Sequence, residues 1–142
     1  MSDLRNPIPG FGLPPTLDDI ARMAERALTT IPPGLARHVR DVALAVEEHA
    51  DEETLDDLGI ESVWELTGLY RGTPLTERST MDVARQPEMI FLYREPILLE
   101  WIETGEDLYR LVRSVVIHEV AHHFGFSDAD IAAIERDLEP DR

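Results

Sequence analysis

The sequence predicts a single domain that mixes helices with a few short strands, and three features of it point there. Apolar residues recur at helical spacing over 16–31. Strand-like patterns occupy 40–48 and 88–94. A long helix spans 106–124, and its second half is apolar nearly all round. The 142 residues suit one ordinary domain, and at 43% hydrophobic they can bury a sizeable core. No internal repeat or boundary divides them.

Residues 1–15 carry Pro7, Pro9, Pro14 and Pro15 with Gly10 and Gly12. These bar a helix or central strand and leave an extended arm, with the domain over 16–142. Thr16 caps the first helix, and Asp18 and Asp19 sit in its favoured first turn. Its stripe runs from Leu17 to Ile31, where Pro32-Pro33-Gly34 ends it. Val42, Leu44 and Val46 share one face of the first strand. The acidic run Asp51-Glu52-Glu53 reads as a solvated helix start, Thr54 to Leu58 as a short helix with Gly59 after it, and Ser62 caps a further turn through Leu66. Gly68 to Gly72 is a short strand, and 73–87 is an irregular loop of the kind that borders clefts. Glu88 to Arg94 is the clearest buried strand. Pro96 then opens a helix as its first residue, and Gly105 closes it.

Charge and composition exclude several classes of function. Only 13 Lys and Arg face 29 Asp and Glu, for a net charge of −16. Phosphate backbones and anionic membranes need clustered cations, so no nucleic acid and no membrane partner is expected. There is no cysteine, hence no disulfide, no thiolate zinc site and no thiol catalysis. The first residues lack an apolar signal region, and no apolar run approaches about 18 residues. A cytoplasmic protein is the expectation, monomeric by default.

The chemistry concentrates in Ser114-Val-Val-Ile-His118-Glu119-Val-Ala-His122-His123-Phe-Gly125-Phe-Ser-Asp128. Residues four apart on a helix are offset by about 40° and share a face. His118 and His122 are therefore placed to bind one Zn²⁺, with Glu119 beside it to take a proton from water. Val115, Val116, Ile117, Val120, Ala121 and Phe124 surround these groups. Burial among them would be costly for four polar side chains unless they are paired or hold a metal. Gly125 turns the chain sharply, and Ser127 caps a last helix running to about Leu138. Asp128 is the first candidate for a third ligand. Its bland alternative is a helix cap, and Glu135 is the second candidate. His123 points elsewhere and is expected to meet a carboxylate or carbonyl. His38 and His49 read as ordinary surface residues. Tyr70 and Arg71 are the nearest candidates for holding a substrate carbonyl oxygen.

The stretch HEVAHHFGFSD, with the EMIFLYR strand, the helix before it and the GLYRG segment, resembles the small bacterial zincin-like metallopeptidases, or minimal zincins. The resemblance extends over most of 16–138. It implies an α+β fold with a small sheet of about three strands and the active-site helix packed on it. It implies one zinc ion held by His118, His122 and Asp128, with Glu119 as general base. It implies a metallopeptidase and names no particular substrate; an extended peptide or protein substrate would pair through its backbone with an edge of the sheet, in strand 68–72 or 88–94. The chain departs from true metzincins, in which the third ligand is typically His and a Met-turn follows; 129–142 contains no Met. A rival reading keeps the fold and the zinc but makes the domain a non-catalytic binding module for a basic or extended partner.

Overall fold

The computed structural model describes residues 12–37, 39, 41–72 and 88–138. The expected loop 73–87 and residues 1–11 of the expected arm lie outside them, as does His38. Among the described residues, six helices and a three-stranded mixed sheet make an α+β domain, as the sequence predicts. The elements are α1 (Leu17–Leu28), α2 (Pro33–Ala36), β1 (Ala43–Glu47), α3 (Glu52–Leu58), a 3₁₀ turn (Val63–Glu65), β2 (Gly68–Arg71), β3 (Met89–Tyr93), α4 (Arg94–Thr104), α5 (Leu108–His123) and α6 (Asp128–Leu138). No helix among the described residues is long and apolar enough to cross a membrane.

Capping chemistry sets most of the helix starts. Thr16 and Asp19 form a reciprocal capping box on α1, and Ser62 and Glu65 form one on the 3₁₀ turn. Asp51 accepts from the Thr54 N–H, Asp107 from Arg110, and the Ser127 hydroxyl from Asp130. Several boundaries differ from expectation by a few residues, and two of the differences have a local cause. α1 stops at Leu28, because the Thr29 and Thr30 hydroxyls return to the carbonyls of Arg26 and Ala27 and compete with further helix. α4 begins at Arg94, so Pro96 is its third residue rather than its first. Strand β3 runs straight into the helix without a loop, and a proline is tolerated anywhere in that first turn, where N–H groups lack intrahelical partners.

Strand order is β1-β3-β2, with β1 parallel and β2 antiparallel to β3. Alternation along β3 sends Ile90 and Leu92 into the main core, together with α1 and the buried face of α5. Phe91 and Tyr93 face the other way, into a smaller cluster with Leu55 of α3 and Leu69 of β2. The sheet is thus covered by helices on both faces. Arg94 ties its end to the chain entry, donating from Nε to the Pro15 carbonyl at 2.7 Å and from Nη1 to Glu48 at 2.9 Å.

One glycine fixes how closely α5 lies on the sheet. A Cβ at Gly68 would stand 2.6 Å from Val115 Cγ1 and 3.2 Å from the Phe91 carbonyl oxygen. Gly68→Ala should therefore destabilise the fold by about 1–3 kcal/mol, read as a lower urea midpoint. Val115→Ala in the same chain should recover part of the loss. An unchanged midpoint would show that α5 can lie farther from β2 without cost.

Candidate metal centre

The helix α5 is long because its inner face is unbroken: Leu108, Leu111, Val112, Val115, Val116, Ile117, Val120 and Ala121 are all buried. His118, Glu119, His122 and His123 fall on the remaining arc. Two of the four are less enclosed than the sequence suggests. The His118 side chain is 41% exposed and that of His122 is 50% exposed. The period of a helix gives the angle of a residue about its own axis, not how much protein covers that angle. Burial therefore does not force His118 and His122 to hold a metal, contrary to the expectation from helical periodicity. The site is a surface feature at the open edge of the sheet.

His118 has its ring fixed from one side. Its Nδ1 lies 2.8 Å from the Ser114 carbonyl, which can only accept, so Nδ1 carries the hydrogen and Nε2 keeps its lone pair. Glu135 approaches the same nitrogen, at 3.0 Å, and the Ser114 hydroxyl donates to that carboxylate at 3.3 Å. Glu135 thus stands at the ring edge opposite the free lone pair. That is where an orienting carboxylate belongs, and not where a co-ligand of Nε2 would sit.

Asp128 stands differently. The turn after α5 is a Schellman motif, with Gly125 N–H bonded to the His122 carbonyl and Phe126 N–H to the Ala121 carbonyl. It needs the left-handed backbone of Gly125, φ +84°. The turn brings Asp128 back so that its Oδ1 is 3.0 Å from His122 Nε2. Ser127 and Asp130 cap α6 between them, so Asp128 is not needed for that task.

Glu119 is the most enclosed of the three motif residues. Its Cγ would lie 3.4 Å from a Cβ at position 68, so it rests against β2. Burial raises its carboxyl above the ordinary value. His122, a hydrogen bond from the Tyr70 backbone and His118 all act in the opposite direction. His123 turns away from this group and stacks on the Tyr70 ring at 3.9 Å between centroids. Its Nε2 is 3.9 Å from Glu88, so a carboxylate is its neighbour, at ion-pair range.

The donors suit zinc in kind. Two imidazoles and a carboxylate are a usual catalytic set, and ligand atoms about 2.0–2.1 Å from a tetrahedral ion stand roughly 3.3 Å apart. The pair His122–Asp128 is near that spacing. Its nitrogen, donating to a carboxylate, would have to give up its proton to bind a cation. Among the described residues, however, no three His, Asp or Glu side chains are gathered closely enough to hold a metal ion. Two groups near the motif had been given no role by the sequence, the Ser114 carbonyl and the Tyr70 N–H. The first is legible as the residue four before His118. The second depends on strand placement and has no sequence signal. Arg71, a candidate for holding a carbonyl oxygen, points to the opposite face and donates to Thr54 Oγ1.

A model of the zincin-like metallopeptidases matches residues 39–138. The chain belongs to the zincin-like metallopeptidase family. The match starts at Val39, so α1, within the expected span of 16–138, lies outside it. No curated protein matches the chain. Membership brings zinc and peptidase chemistry to the chain in general terms.

The geometry separates the two acidic candidates. Asp128→Ala should weaken zinc binding, measured by competition with a chromophoric chelator, by more than the roughly 10–100-fold typical of losing an orienting partner. Glu135→Gln should cost no more than that range. The reverse order would make Glu135 the ligand.

Proposed function

We propose that the domain is a zinc-dependent peptidase whose single ion is held by His118, His122 and Asp128 and whose general base is Glu119. The observation that carries this reading is the position of Glu119. It lies between the two histidines in sequence and against the edge strand in space, with its carboxyl raised by burial. A bound zinc ion lowers the pKa of its water towards about 7 and polarises a carbonyl. A carboxylate oxygen of Glu119 takes a proton from the attacking water and delivers it to the leaving amine nitrogen. A raised pKa brings the base closer to the proton it must accept. Ser114 and Glu135 keep the hydrogen of His118 on Nδ1 and so keep Nε2 basic.

The substrate in this reading is an extended peptide lying along β2. Strand β3 has neighbours on both sides, which removes 88–94 as the pairing edge. Among the described residues β2 is paired on one side only, and it is the strand beside Glu119. Backbone hydrogen bonds along such an edge would hold a peptide with little regard for its side chains.

Glu119→Gln is the decisive variant. It should retain one zinc per chain and lose hydrolysis of a peptide library by about 10²–10⁴-fold. Undiminished turnover would place the base elsewhere. Zinc-loaded wild-type protein that cleaves nothing in the library would favour the non-catalytic binding module.

A further inference from the structure

The sheet face turned away from α5 carries a pocket that the zinc chemistry does not use. Phe91 and Tyr93 point to that face with their rings nearly parallel, 10° apart in plane and 6.5 Å between centroids. Beside them opens a cavity of about 290 Å³. Its polar wall is Glu47 from the end of β1, Asp51, Glu53 and Asp57 from α3 and its cap, and Arg71 from β2. Four carboxylates therefore face one guanidinium.

These charges are not consumed by the fold. Asp51 caps α3 through the Thr54 N–H at 2.8 Å, and Arg71 donates to Thr54 Oγ1 at 3.1 Å. Glu47, Glu53 and Asp57 have neither hydrogen bond nor ion pair among the described residues. An acidic cluster alone would be an ordinary solvated surface. Tyr93 makes it more than that. The residue is 2% exposed and lines the cavity, yet among the described residues its hydroxyl has no hydrogen-bond partner. Burial, and next the charge of Glu47, push the phenol up to about 12, with Arg71 opposing and Asp51 and Glu119 adding to the rise. The hydroxyl thus stays protonated and can both donate and accept. The hydroxyl opens onto the cavity, where a ligand can reach it.

The chemistry of the occupant follows from this lining. No three carboxylates among the described residues gather closely enough for a metal ion. Acids spread around a rim, aromatic rings along one wall and a hydroxyl open to the cavity suit an extended organic cation. We propose that this pocket binds an alkyl-linked guanidinium or ammonium group, of the kind carried by an arginine or lysine side chain or by a free diamine. The proposal stands apart from the peptidase reading, because the pocket and the HExxH residues lie on opposite faces of the sheet.

The test is a set of titrations of the full chain with Nα-acetyl-arginine amide, with putrescine and with Nα-acetyl-norleucine amide, followed by calorimetry and by the ring resonances of Tyr93. Both cations should bind saturably, shift the Tyr93 ring and weaken as salt is raised. The uncharged norleucine probe should do none of these. Tighter binding of the arginine amide points to a peptide side chain as the source, and tighter binding of putrescine to a free diamine; the proposal stands in either case. The double variant Glu47→Gln, Asp57→Asn alters two exposed and unbonded acids, so the fold and the zinc content should be unchanged while affinity falls about tenfold. Tyr93→Phe keeps the ring and should cost about fivefold. The proposal is overturned if no cation shifts Tyr93 up to about 20 mM. It is overturned equally if norleucine amide binds as well, or if the double variant binds as the wild type does.

Discussion

The approach of α5 to β2 at Gly68 is the constraint on which the rest of the site depends. Val115 fills the space a side chain would take there, and Glu119, one turn later, comes to rest against the same strand. The helix can lie that close because its inner face, from Leu108 to Ala121, is continuously apolar. Its outer arc then emerges at the edge of the sheet with His118 and His122 exposed and Glu119 enclosed. A helix packed farther out would leave Glu119 in water, with its carboxyl nearer the ordinary value and no contact with the Tyr70 N–H. Chemistry and fold meet in this one contact between a strand without a side chain and a helix.

Around that contact the charged groups divide into two kinds of work. Glu135 and the Ser114 carbonyl address Nδ1 of His118 and set its tautomer. Asp128 addresses the other histidine, at Nε2. The Schellman turn decides this division, since Gly125 sends the chain back over the end of α5 rather than onward. On the far side of the sheet the acids are not paired in this way. They surround two aromatic rings and a hydroxyl without a partner, and that contrast marks the second pocket.

Local chemistry in the sequence was the best guide to the elements. Thr16, Ser62 and Ser127 act as caps where the sequence places them, and the EMIFLYR strand and the two-residue period around Leu44 stand where alternation puts them. What the sequence left unread was mostly relational. It does not say that β3 lies between β1 and β2, because pairing order is set by packing among distant segments. It placed the histidines on one helical face but overstated their burial, because periodicity does not measure cover. It marked Glu135 as an acid near the motif but not which ring edge of His118 it meets. The family likeness, drawn from HEVAHHFGFSD and its flanking strand, agrees with the match over 39–138. Within the EMIFLYR strand nothing local marks Tyr93 as a residue whose hydroxyl goes without a partner.

The most direct test of the account is anomalous diffraction at the zinc edge from crystals of the zinc-loaded chain. The account predicts one peak per chain, bonded to Nε2 of His118, Nε2 of His122 and a carboxylate oxygen of Asp128, with Glu135 still on Nδ1 of His118. A peak bonded to Glu135 in place of Asp128, or no peak at α5 in crystals soaked with zinc, would contradict it.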